Sequence, residues 1–154
     1  MEAFKKLKGQ NISLDIYGEG LLRDDLANYI TDNDLPVRLM GHIGNLDEVL
    51  NQYDLFVMSS LYEGFSLAVL EGMLMEKPML LSNIPTFTEQ CDDTAVYFSL
   101  NDVNDLTDKI KTLKNDHVRL KQIATAGKNR VLQYFTLDHH MAALRKIYKD
   151  VLGE

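Results

Sequence analysis

The chain has 154 residues, 45% of them hydrophobic and 25% charged, which fits one globular domain with a genuine core and is too short for two full-sized ones. Its formal net charge is −7 and its lysines and arginines are scattered, which argues against binding a nucleic-acid backbone. The single cysteine, Cys91, excludes an internal disulfide and points to a reducing, cytoplasmic compartment, and no apolar run approaches the length of a membrane span.

In chain order, the start MEAFKKLKGQ lacks the apolar stretch of a secretory signal. It reads as the tail of an amphipathic helix through Phe4 and Leu7, as if the chain began inside a domain. ISLDIYG (12–18) alternates like a strand and closes on Gly18-Glu19-Gly20. Helical spacing follows at Leu22, Leu26, Tyr29 and Ile30, then a short strand VRLMG (37–41) after Pro36 and a short helix at 45–53. DLFVMSS (54–60) is nearly continuous in apolar residues, as a strand buried on both faces should be. A helix over Ser66 to Met75 ends at Lys77-Pro78, and MLLS (79–82) and AVYFSL (95–100) supply the last strands.

Beyond residue 101 the pattern is helical. Asn101 or Asp102 caps a helix to about Leu113, Asp116 caps one reaching Phe135, and Thr136 caps the last. That final helix carries Leu137, Met141, Leu144, Tyr148 and Val151 on one stripe. Strands alternating with helices predict one α/β domain, a Rossmann-like doubly wound parallel sheet with a helical C-terminal tail.

Such sheets bind ligands beyond the carboxyl ends of their strands. Three segments occupy those positions: Gly18-Glu19-Gly20, Gly41-His42-Ile43-Gly44, and Ser59 to Ser66. The glycine pair at 18 and 20 is not a dinucleotide fingerprint, because Arg23 stands where a third glycine belongs. The third segment is richer. Gly64 opens the backbone, Ser66 can cap, and the amides of Phe65 to Ala68 offer donors to an anion at the positive end of the helix dipole. Glu63 hangs at the mouth of this site. Glu71 is flanked at i−4, i−3, i+3 and i+4 by Leu67, Ala68, Leu74 and Met75. A carboxylate in that setting either pairs with a nearby base, reaches solvent, or accepts from vicinal hydroxyls such as those of a ribose.

Glu63 and Glu71 form an E-x7-E pattern, and DLFVMSSLYEGFSLAVLEGMLMEKPMLLSNIPTFTE resembles the corresponding block of the retaining group 1 (family 4) glycosyltransferases. LDIYGEG, VRLMGHI, Tyr53-Asp54 and YFTLDHH stand around it in that family's order, so the likeness runs through almost the whole chain. The resemblance implies the C-terminal half of a GT-B fold, spanning 1–154, that binds a nucleoside-diphosphate sugar and needs neither metal nor other cofactor. It further implies an N-terminal acceptor domain outside these residues, and likewise the donor domain's first strand and basic loop. By resemblance, Glu63 contacts the transferred sugar, and the amides of Gly64, Phe65, Ser66 and Leu67 face the distal phosphate. Glu71 holds the ribose, Gly18 and Gly20 line the cleft, and the backbone of Arg38 to Gly41 reads the base. The family's E-A-M-A-x-G-x-P is altered here: Gly72 and Leu74 replace alanines and Glu76 a glycine. Gly72 lowers helix propensity by about 1 kcal/mol but permits close packing.

The other candidates read as structural. His139-His140 opens the last helix, His42 follows a strand end and either lines the cleft or, the reading favoured here, is a plain loop histidine, Asp92-Asp93 and Asp32-Asn33-Asp34 are turns, and Cys91 belongs to the core. A non-catalytic module that binds sugar nucleotides or a partner chain is the alternative reading, with an epimerase fragment behind it. Two expectations concern association. The last helix's stripe normally crosses to the other domain in this family, so here it favours self-association. The full enzyme is expected in the cytoplasm, as a peripheral protein on the inner membrane face during polysaccharide assembly.

Overall fold

The computed structural model describes residues 1–153, and strands alternate with helices along them. The order begins α1 (Glu2–Lys6), β1 (Leu14–Tyr17), α2 (Arg23–Asp32), β2 (Val37–Gly41), α3 (Asp47–Leu50) and β3 (Phe56–Met58). It continues with α4 (Leu67–Leu74), β4 (Met79–Ser82), α5 (Pro85–Cys91), a 3-10 turn (Asp92–Thr94) and β5 (Val96–Phe98). Three helices finish the chain: α6 (Val103–Lys114), α7 (His117–Tyr134) and α8 (Leu137–Leu152).

Every strand pairing is parallel, as the alternation predicts, but the ladder is divided. β1 pairs with β2, placing Leu14 opposite Val37, while β3, β4 and β5 form a separate sheet with β4 in the centre. Among the described residues no ladder joins β1 to β3. A cavity of about 660 Å³ runs between them, walled by Leu14, Ile16, Leu55 and Val57 among others. The parallel α/β architecture with a helical C-terminal tail is the one the alternation predicts, its ladder being in two parts.

The helices form where the caps are. The Asp102 carboxylate accepts from the amides of Asn104 and Asp105 at 2.9 and 3.0 Å, Asp116 from Arg119 at 2.8 Å, and Thr136 from His139. Each satisfies donors that the first turn leaves unpaired. Helices cover both faces of the strands and make two cores. On one side Met79, Leu81, Phe87, Cys91, Val69, Met73 and Val131 pack together. On the other, Leu80 and Phe98 meet Phe4, Leu7, Leu35, Val37, Ile110 and Leu113. Gly72 lets α4 sit close on the sheet, since a Cβ there would stand 2.5 Å from the end of the Met79 side chain. α8 buries no residue, and Leu137, Met141, Tyr148 and Val151 of its stripe stay exposed.

Cys91 is fully buried against Met73, and burial pushes its thiol up to about 12, which makes it an inert core residue.

Candidate functional site

The cavity reaches the carboxyl ends of β1, β2 and β3. Gly18, His42, Gly44, Ser59, Ser60, Ala68 and Glu71 line it there. Two glycines shape the turns after the first two strands. Gly18 sits at φ +127° and Gly41 at φ +78°, regions that side-chain-bearing residues avoid, and the Gly18 amide donates to the Gly41 carbonyl at 2.8 Å. The two turns are therefore locked side by side.

After β3 the chain is fixed by hydroxyls. Ser82 Oγ donates to the Ser60 carbonyl at 2.7 Å, and Thr86 Oγ1 to the Glu63 carbonyl at 2.7 Å. Ser60 Oγ donates to Glu63 Oε1 at 2.8 Å, which aims the carboxylate of this half-buried residue. α4 then begins at Ser66, whose Oγ accepts from the Val69 amide as the sequence predicts.

The first-turn amides are not all free. Ser66 N–H donates to Gln90 Oε1 at 3.3 Å while Gln90 Nε2 donates to the Ser66 carbonyl at 2.8 Å. Gln90 is 2% exposed and this exchange consumes both halves of its amide. The expectation that Ser66 offers its N–H to an anion is corrected, while among the described residues the amides of Gly64, Phe65, Leu67 and Ala68 have no protein acceptor. Arg130 of α7 holds Gln90 in turn, donating from Nε to its carbonyl at 2.8 Å and from an amino group to the Glu89 carbonyl at 2.9 Å. Its guanidinium also lies 6.0 Å from the ring centre of Phe135, which packs on Phe65 at 5.8 Å.

Glu71 is exposed into the cavity, and among the described residues its carboxylate has no ion pair or hydrogen-bonded partner. The pairing alternative is thereby removed. Helix geometry explains it: α4 turns Val69, Gly72 and Met73 inward and leaves Leu67, Glu71 and Leu74 on the outer face.

A second polar group sits on β1. Arg38 grips Asp15 through two hydrogen bonds of 2.7 and 2.5 Å, Tyr53 donates to Asp15 Oδ2 at 2.6 Å, and Tyr17, the remaining hydroxyl with a free proton, donates to the Tyr53 oxygen at 2.8 Å. The Asp15 side chain is 2% exposed and that of Arg38 70%. The Arg38 bidentate contact holds the Asp15 carboxyl below the usual carboxylate range, while burial and then the Asp15 carboxylate push the Tyr53 phenol up.

Of the residues singled out from sequence, Gly18 and Glu71 line the cavity together. Glu63, Gly64, Phe65, Ser66 and Leu67 lie in the chain between its lining residues Ser60 and Ala68, at the entry to α4, and like Gly20, Arg38 and Gly41 are not on its walls. The Arg38 side chain is committed to Asp15. Gln90, Arg130 and the Asp15 group were not found from sequence, because their partners lie 23 to 41 residues away. His42 is on the cavity wall, the less favoured of the two readings of this residue.

This geometry meets close relatives among known proteins. The sequence profile described as "Glycosyl transferases group 1" matches residues 1–116. The poly(ribitol-phosphate) alpha-N-acetylglucosaminyltransferase of Staphylococcus aureus (strain COL) is 26% identical over 136 residues, covering 85% of this chain and 28% of that protein. The structure of S. aureus TarM with fondaparinux, alpha-GlcNAc-glycerol and UDP superposes with a TM-score of 0.86 at 24% identity, over 96% of this chain and 31% of that one. The C-terminal domain of the LpcC group 1 family protein from Francisella tularensis superposes with a TM-score of 0.74 at 22% identity, over 88% of this chain and 77% of that domain. The chain thus spans under a third of the S. aureus relative's length while matching most of a C-terminal domain. With that profile matched over residues 1–116 of 154, the chain belongs to the group 1 glycosyl transferases.

Proposed function

We propose that this chain is the donor-binding part of a retaining glycosyltransferase, holding a nucleoside-diphosphate sugar in the cleft beyond β1, β2 and β3. The observation that carries the reading is Glu71: an exposed carboxylate without a protein partner, set on a cavity wall beside the open start of α4. Its two oxygens suit the two hydroxyls of a ribose. From there the diphosphate reaches the Leu67 and Ala68 amides, where the helix dipole favours negative charge. As the glycosidic bond to the donor breaks, charge gathers on the leaving diphosphate, and donors fixed in advance stabilise it most. Glu63, aimed by Ser60, is placed to accept from hydroxyls of the transferred sugar. The base lies against the backbone turn at Gly18, which its hydrogen bond to the Gly41 carbonyl holds in place.

The acceptor is held by a further domain, and the full enzyme works in the cytoplasm at the membrane face where polysaccharide is built. Titration of nucleoside diphosphates (UDP and GDP first) by calorimetry tests the site. Glu71→Gln should weaken binding by about 1.5–3 kcal/mol, the range for hydrogen bonds to a charged group, and leave stability unchanged. Equal affinity of the wild type and Glu71→Gln would remove Glu71 from the site. Turnover by the 154-residue chain alone should be absent, since bringing two substrates together supplies much of the rate.

A further inference from the structure

Arg130 lies near the carboxyl end of α7, beyond the residues 1–116 that match the family profile. Each of its guanidinium nitrogens has an acceptor at the end of α5. Nε donates to the Gln90 carbonyl at 2.8 Å, one amino group to the Glu89 carbonyl at 2.9 Å, and the other meets Asp92 Oδ2 at 3.4 Å. The two carbonyls lie in the last turn of α5, where the helix itself supplies no donors and its dipole is negative. Tyr134 and Phe135 lie against the fork, with ring centres 5.3 and 6.0 Å from the guanidinium carbon. The side chain is 20% exposed, so this arrangement is largely withdrawn from water.

The residue so gripped is Gln90. Its carbonyl is tied to Arg130, and its side-chain amide exchanges two hydrogen bonds with the Ser66 backbone. Fixing the main chain of Gln90 fixes how far its amide reaches, and hence where Ser66 stands. Ser66 caps α4, so its placement directs the open Leu67 and Ala68 amides that follow. Direction counts there, because a hydrogen bond weakens steeply as its angle departs from linear. Arg130 can act on those amides without touching a ligand, since each of its nitrogens already faces a protein oxygen.

We propose, on the donor reading given above, that Arg130 is a positioning residue for the donor's diphosphate, acting through Gln90 and Ser66 on the α4 amides. α7 thereby takes part in the site although none of its residues lines the cleft. The planar fork is what this requires, since a lysine would meet one carbonyl as a point charge and leave the others unmatched. If Arg130 merely closed the end of α5, its loss would lower stability and leave the affinity of the folded chain unchanged.

The test is Arg130→Lys, which keeps the charge at the end of α5 and loses the fork. Folded wild type and variant are titrated by NMR with UDP and GDP and with the nucleosides uridine and guanosine. The expected result is a nucleoside diphosphate bound about fivefold more weakly or worse, the scale of one net hydrogen bond. The matching nucleoside, which does not reach the α4 amides, should change by less than about twofold. Without ligand, the Ser66, Leu67 and Ala68 amide signals should move in the variant while that of Gly18 stays. In a Gln90→Leu background, Arg130→Lys should change diphosphate affinity by less than about twofold, because residues acting in series are not additive. Unchanged diphosphate affinity of the folded variant overturns the proposal. So does an equal loss for the nucleoside, or the full loss recurring in the Gln90→Leu background. If Arg130→Lys does not fold, Tyr134→Leu removes the exposed ring beside the guanidinium and should weaken the diphosphate alone by about twofold; no change overturns the proposal. A wild type that binds neither UDP nor GDP rejects the donor reading. The ligand-free signals then judge the hold of Arg130 on α4: their movement retains it, and unmoved signals overturn it.

Discussion

Strands β1 and β4 are each four residues long and each lies in a parallel ladder, yet all four residues of β4 are buried and all four of β1 are half-buried. β4 has a neighbour on both sides and a helical layer on both faces. β1 has β2 on one side and the cavity on the other. Burial here is a property of the neighbours more than of the strand's own residues. ISLDIYG reads as a better strand than MLLS by β-branching, but the better-patterned segment is the less protected one.

The largest expected effect sharpens this contrast. Leu81→Ala in β4 should cost about 2–5 kcal/mol in a denaturant melt, as for other fully buried leucines. Ile16→Ala in β1 should cost clearly less, and an equal loss would break the comparison. Next is Gln90→Ala, which removes the two hydrogen bonds between its amide and the backbone of buried Ser66 and should cost about 1–3 kcal/mol. It should also weaken nucleoside-diphosphate binding, because the amides at the start of α4 lose their positioning.

A smaller effect belongs to the β1 polar group. Asp15→Asn should cost about 1 kcal/mol near neutral pH, limited by the exposure of Arg38 to water. Since Asp15 titrates below its unfolded value of about 3.9, its contribution is present above that pH and disappears as pH falls through the folded value. Wild type and variant should therefore converge in stability as the pH falls through that lowered folded value, measured by melts across the acid range. The smallest effect is at the exposed end of the chain. Val151→Lys should shift stability by no more than about 0.5 kcal/mol. It should also reduce any self-association seen by sedimentation, as removal of an exposed apolar side chain predicts.

Much of the fold was legible because its cues are local. The capping residues Ser66, Asp102, Asp116 and Thr136 stand at the starts of their helices, and β2 and β4 occupy the residues read for them. α5 was missed because its first residue is Pro85, its cap position is Ile84 without a side-chain bond, and its seven residues are too few for a clear period. The candidate site divides in the same way. The turns at Gly18 and Gly41 and the α4 entry announce themselves by glycine and serine after strands. Gln90 looks like any polar residue until the fold brings it to Ser66, and the division of the sheet leaves no mark in either strand's sequence.

The position of β4 also bears on how the molecule comes apart. Leu80 belongs to one core while Met79 and Leu81 belong to the other, so adjacent residues of one strand anchor both layers. Neither core can open without exposing part of the other, and the two are expected to melt in a single cooperative transition. The outermost part of that cooperative unit is α8, with no buried residue to tie it in, so its amides should open by local fraying long before the global event. Thermal unfolding followed at Tyr97 beside β4 and at Tyr148 on α8 would then report two different free energies from one chain.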